Sequence, residues 1–147
     1  MYVQHTVHIK HPIKLVSATL LKGPSEWFPG LDDKNVSTIG LHVAGVPVRK
    51  KVEVAIGQAV KTSTWAVRPI TWKATFPVKL FPEMTGKIEL TASGKDETRL
   101  TVSGMYEPPL GKLGGQLDEA MMHNIAEGTV KELAESIAQR LAKAAAS

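Results

Sequence analysis

Thr98-Arg99-Leu100-Thr101-Val102-Ser103-Gly104-Met105-Tyr106 alternates like a strand, then runs through Glu107-Pro108-Pro109-Leu110-Gly111 and Gly114-Gly115 into a helical pattern that reaches Ala146. Leu100, Val102, Gly104 and Tyr106 fall on one face by the period of two. Beyond Gly115, Ala126, Val130, Leu133, Ile137 and Leu141 form one apolar stripe, widened by Met122, Ile125 and Thr129, with Glu127, Lys131, Glu135 and Gln139 opposite. Gly128 lies on the polar side, where it marks either a weakness of about 1 kcal/mol relative to alanine or a close approach by another backbone. Nearly everything upstream reads as strand, so a sheet must wrap around a single long C-terminal helix. Such a layout is more often a container than a catalytic scaffold.

Upstream, Val3, His5, Val7 and Ile9 alternate with Gln4, Thr6, His8 and Lys10 as in a half-buried strand. Pro12 suits a first helical turn, Ile13, Val16 and Leu20 follow at helical spacing, and Gly23-Pro24 ends the run. A second short helical turn is expected around Ser25-Glu26-Trp27-Phe28, closed by Pro29-Gly30. A hairpin follows, with Ile39, Leu41 and Val43 before Gly45-Val46-Pro47 and Val48, Val52, Val54 and Ile56 after it. Val60 to Arg68 and Pro69 to Leu80 read as two further strands, the second bulged or at an edge near Pro77. Met84 to Ala92, with Ile88 and Leu90 inward, turns through Ser93-Gly94-Lys95-Asp96 into the final strand.

Composition removes several classes of function. No apolar run approaches the ~20 residues needed to span a bilayer, the N-terminus lacks the order of a secretory signal, and a cytoplasmic protein is expected. The absence of cysteine excludes disulfides, thiolate metal sites and a cysteine nucleophile. The net charge of +4 is uneven, because the segment from Gln116 onward holds five acids and three bases and the remainder is basic. Those bases are spaced along strand edges and turns, so no nucleic-acid partner is expected. Arg49-Lys50-Lys51, the one compact run, reads as a solvated hairpin shoulder. No phosphate cradle, nucleophile elbow or inward pair of carboxylates is present in the pattern.

The element order, together with Glu26-Trp27-Phe28-Pro29-Gly30 and with Tyr106-Glu107-Pro108-Pro109-Leu110-Gly111 followed by Gly114 and Asp118, resembles the START-like superfamily. That group includes birch-pollen-allergen proteins, lipid-transfer START domains, polyketide cyclase/dehydrase-like proteins and Hsp90 activators; the junction resembles that of an uncharacterised bacterial branch. The resemblance spans residues 1–147 as one domain. It implies an α+β helix-grip fold: a curved antiparallel sheet of about seven strands around a long C-terminal helix, with two short helices after the first strand. It also implies a cavity between sheet and helix.

The walls of such a cavity would be Trp65, Trp72, Phe76, Leu90, Val102, Tyr106, Ile125 and Leu133, each of which serves equally as core packing. Polar candidates accompany them. His5 shares the face of Val3 and Val7, and Tyr106 ends the last strand beside Glu107, which suits acid-base chemistry in a cyclase or dehydratase or, more simply, a tyrosine that anchors the turn. His123 sits at the margin of the helix stripe, at a pocket entrance or the helix boundary. His5, His8 and His11 do not converge on a strand, so neither a metal nor any other cofactor is expected. The expected function is binding of an apolar or amphipathic small molecule by a monomer or homodimer. A cyclase/dehydratase enzyme is one alternative, and an interaction module exposing Trp27-Phe28 is another.

Overall fold

Alternation becomes a seven-stranded antiparallel sheet in the computed structural model. Residues 1–43, 46–76, 83–106 and 119–147 are described, apart from the side chains at 39–43, 46–48, 50, 74–76, 119 and 121. In chain order the elements are β1 (Tyr2–Ile9), α1 (Ile13–Leu20), a 3-10 turn (Pro24–Glu26), β2 (Val36–Val43), β3 (Val46–Ile56), β4 (Val60–Lys61), β5 (Trp65–Phe76), β6 (Met84–Gly94), β7 (Glu97–Tyr106) and α2 (Glu119–Ala145). The strand order is β1-β7-β6-β5-β3-β2, with the short β4 paired to β5. Helix α2 packs on β1, β7 and β2. Since β1 and β2 are the outer strands, the sheet must curl until both margins reach the helix.

That curl has a local cause. Gly86 and Gly104 face each other across β6 and β7, and a Cβ on Gly86 would overlap the Ser103 carbonyl oxygen. A Cβ on Gly104 would lie 2.5 Å from Met84 Sδ. Paired glycines let the two backbones bend together where side chains would hold them apart.

The helix stripe behaves as its spacing predicts: Met122, Ile125, Ala126, Thr129, Val130, Leu133, Ile137 and Leu141 are buried. Glu127, Lys131, Glu135 and Gln139 are exposed. A Cβ on Gly128 would meet nothing within 4 Å, so no backbone approaches there. Gly128→Ala is therefore expected to stabilise the protein by about 1 kcal/mol, read as a higher urea midpoint with an unchanged slope.

Two expectations are corrected. The break between the fourth and fifth strands falls at residues 62–64, not before Pro69, and β5 runs continuously through Pro69. Pro69 is tolerated because pairing of β5 with β3 stops at Ile70 and pairing with β4 begins at Val67. The missing N–H falls in the gap between these two ladders, while the Pro69 carbonyl still accepts from Gly57 N–H at 2.9 Å. The second correction concerns Trp27 and Phe28, which are buried within the core cluster and so do not form an exposed patch. The expectations at Gly45 and Pro77, and for the junction from Glu107 to Gly115, lie outside the described residues.

The connection into β2 is held by Asp32, whose Oδ1 accepts from the backbone N–H groups of Lys34 at 2.8 Å and Val36 at 2.9 Å. The Val36 bond is the main reason that the Asp32 carboxyl lies below its ordinary pKa; desolvation, the next largest effect, opposes it, and the Lys34 bond and the charges of Lys34 and Lys51 add to the lowering. A lowered folded-state pKa stabilises above the unfolded value, near 3.8, and that contribution fades as pH falls through the folded value. Asp32→Asn should thus lower Tm at pH 6 relative to the parent. The gap should close as pH falls below the folded-state value of the carboxyl; a gap independent of pH would contradict the assignment.

Candidate functional site

At the end of the sheet where β6 starts and β7 finishes, one inward-facing row crosses four strands. Val54 lies opposite Trp72, Trp72 opposite Met84, and Met84 opposite Tyr106. All four are buried. Tyr106 is fastened through its backbone, its N–H donating to the Met1 carbonyl and its carbonyl accepting from the Met1 ammonium.

The Tyr106 hydroxyl meets His123 Nδ1 at 3.0 Å, and His123 Nε2 meets Glu127 Oε1 at 2.9 Å. His123 and Glu127 are one helical turn apart on α2, the i, i+4 spacing that sets side chains side by side. Exposure rises along the chain from 1% at Tyr106 to side-chain values of 32% at His123 and 57% at Glu127. The three residues thus form a hydrogen-bonded path from solvent to a buried phenol.

The path has a defined polarity. A carboxylate can only accept, so a neutral His123 carries its hydrogen on Nε2 and presents Nδ1 as an acceptor to the Tyr106 hydroxyl. In the imidazolium form Nδ1–H donates instead, and the phenolic hydrogen is released toward another acceptor. Nitrogen-15 NMR is expected to find neutral His123 as the Nε2–H tautomer in the parent protein and to lose that bias in Glu127→Ala. A neutral Nδ1–H form in the parent would refute the arrangement.

An open hollow of about 410 Å³ at this end, lined by Met1, Glu83, Thr85, Met105 and Tyr106, lies toward the outer face of the sheet, since Thr85 and Met105 are exposed and alternate with the inward Met84 and Tyr106. Between sheet and helix, Leu90, Val102, Ile125 and Leu133 are buried together with Trp72. Phe76 lies in β5, but its side chain is outside the described set, as is Glu107 altogether. Trp65 lies on the face opposite Trp72, partly exposed, with Nε1 donating to Glu89 Oε2 at 3.0 Å. The two tryptophans are seven residues apart in one continuous strand, an odd separation that sends them to opposite faces.

His5 does face inward, opposite Val102, yet it is not enclosed by apolar groups. Its side chain is 32% exposed, and Nε2 lies 3.8 Å from Glu135 Oε1 across the seam between β1 and α2. No group of three or more metal-ligating side chains occurs among the described residues. Helical spacing puts His123 at the stripe margin without marking its link to Glu127. The i, i+4 pair is legible as a local signal, whereas its contact with Tyr106 depends on how α2 crosses β7.

Arg68 also goes unmarked by sequence. Its Nη1 donates to the carbonyls of Leu20 at 2.6 Å and Lys22 at 2.8 Å, its Nε donates to Gly57 at 3.0 Å, and its guanidinium lies 5.6 Å from the Trp27 ring centroid. Partial burial lowers its pKa. These contacts tie the end of α1 to the sheet and are structural.

A curled antiparallel sheet gripping a long C-terminal helix, with two short helical segments after the first strand, is the helix-grip architecture of START-like and birch-pollen-allergen-type proteins. Among solved structures, the chain is similar to a Thermus thermophilus protein at 16% identity, covering 98% of this chain and 99% of that one, with a TM-score of 0.57. It is also similar to the Zhui aromatase/cyclase of Streptomyces sp. R1128 at 18% identity, covering 99% and 93%, with a TM-score of 0.51. Truncated norcoclaurine synthase from Thalictrum flavum matches at 13% identity, covering 95% and 91%, with a TM-score of 0.54. At these identities the likeness establishes the fold. No protein-family model matches the sequence, and no curated protein sequence matches it. No helix among the described residues is long and apolar enough to cross a membrane.

Proposed function

We propose that this protein binds a hydrophobic or amphipathic small molecule between the sheet and α2, at the end framed by Trp72, Met84 and Tyr106. The observation that carries this reading is the Tyr106–His123–Glu127 path, which delivers an orientable polar group to the end of a mostly apolar interior. Small-molecule sites are characteristically apolar walls with a few placed polar groups. Apolar burial would supply affinity at around 25 cal/mol per Å², less the cost of association, and the polar groups would orient the ligand.

Native mass spectrometry and thermal shift with 2-acetylnaphthalene and with saturated C10 to C14 fatty acids test this directly. A one-to-one adduct is expected, with Tm rising by about 5–10 °C at a ligand concentration near a hundred times Kd. No adduct and no shift with any of these compounds would sink the reading.

The same path favours a second reading, an enzyme of the cyclase/dehydratase kind. Imidazolium His123 would pass its Nδ1 proton to the Tyr106 oxygen as the phenol gives its own hydrogen to a substrate oxygen, and Glu127 would hold the resulting neutral tautomer. The solved neighbours include an aromatase/cyclase and a synthase, which supports testing for catalysis. Hydrogen-deuterium exchange at the α-carbon of 2-tetralone is the assay. Exchange above the buffer rate that falls at least tenfold in both Tyr106→Phe and His123→Gln is expected of an enzyme, and exchange at the buffer rate leaves carriage alone.

A further inference from the structure

The chain has three tryptophans, and their indole N–H groups are treated differently. Trp27 Nε1 donates to the Lys22 carbonyl at 3.2 Å and Trp65 Nε1 to Glu89 at 3.0 Å. Trp72 Nε1 is buried and has no hydrogen-bond partner among the described residues. Buried donors are almost always paired, because an unpaired one forfeits its bond to water and gains nothing in return. Its strand neighbours in the row, Val54 and Met84, offer no oxygen acceptor from their side chains. Its six-membered ring points toward β7, with Cη2 3.6 Å from where a Cβ on Gly104 would lie. Phenylalanine would supply an apolar wall at this position without the unpaired donor.

We infer that Trp72 Nε1 is the anchor for an acceptor oxygen on the bound molecule, so that the ligand class is an apolar, ring-sized compound bearing a carbonyl, ether or phenolic oxygen. This rests on the proposal that the chamber takes a small molecule. The indole is a donor only, which disfavours ligands whose sole polar group is an ammonium. Tyr106 stands on the same row two strands away, about 10 Å between backbones, and offers a second polar point that donates or accepts according to His123. A plain hydrocarbon bound at the same place would leave Nε1 unpaired. The chamber should therefore discriminate by oxygen content.

The test compares 2-acetylnaphthalene with 2-isopropenylnaphthalene, which replaces the carbonyl oxygen by a CH2 group of similar shape. Both are titrated into protein carrying nitrogen-15 in its indoles, and the three N–H signals are assigned with single Trp→Phe variants. The ketone is expected to move the Trp72 signal downfield, with those of Trp27 and Trp65 nearly still, and to bind roughly tenfold more tightly than the hydrocarbon. In Trp72→Phe the two Kd values should converge. Equal binding of both compounds with an unmoved Trp72 signal overturns the anchor and leaves small-molecule binding intact. Failure of both to bind removes the anchor and counts against the proposed function itself. Should Trp72→Phe fail to fold, the signal in the unaltered protein still decides.

Discussion

Gly86→Ala is expected to destabilise the protein by at least about 3 kcal/mol, beyond the usual range for a single methyl group, and to leave little folded protein if the starting stability is low. The added Cβ would overlap the carbonyl oxygen of Ser103, a backbone atom fixed in the ladder between β6 and β7. Relief requires the strands to separate where their bending lets the sheet margins reach α2. Gly104→Ala makes the informative contrast, because its Cβ would meet side-chain atoms, Met84 Cγ and Sδ, which can shift where a backbone carbonyl cannot, at a cost of about 1–3 kcal/mol. Urea unfolding of both variants provides the measurement. A Gly86→Ala midpoint within 1 kcal/mol of the parent would show that the close approach has no energetic weight.

Arg68→Met should cost about 2–4 kcal/mol while keeping most of the side-chain volume. It removes the donors that satisfy Leu20, Lys22 and Gly57 and the cation above Trp27. Lysine should not rescue it, since an ammonium lacks the planar fork that reaches several carbonyls in one geometry. Hydrogen exchange would locate the loss: amides at the end of α1 should become less protected than those of β6 and β7. Equal loosening of the whole protein, or full rescue by Arg68→Lys, would contradict a local tether.

Much of the fold was legible because most of its elements repeat with the period of their own secondary structure. The α2 stripe and the inward set of β7 follow from spacing alone, and so do the inward positions of β1. The phase of Trp65 was not, for periodicity gives the phase only within an unbroken strand. Pro69 looked like a boundary, and the continuous β5 carries one phase from Trp65 to Trp72. Exposure of Trp27 and Phe28 stays open as an alternative in the sequence because a short turn has no periodicity to show its buried side. Arg68 carries no local signal of its role, because its row faces inward while its partners Leu20 and Lys22 lie 48 and 46 residues away in sequence.

The candidate site divides along the same line. Alternation alone placed Tyr106 and Trp72 on inward faces, and helical spacing alone made His123 and Glu127 neighbours. Local patterns determine such things because adjacent residues share one backbone geometry. Only the tertiary structure joined Tyr106 to His123, left Trp72 Nε1 unpaired among the described residues, and turned His5 toward Glu135 rather than into an apolar pocket. Each of these depends on where separate elements cross, which is set by packing the whole curved sheet against α2.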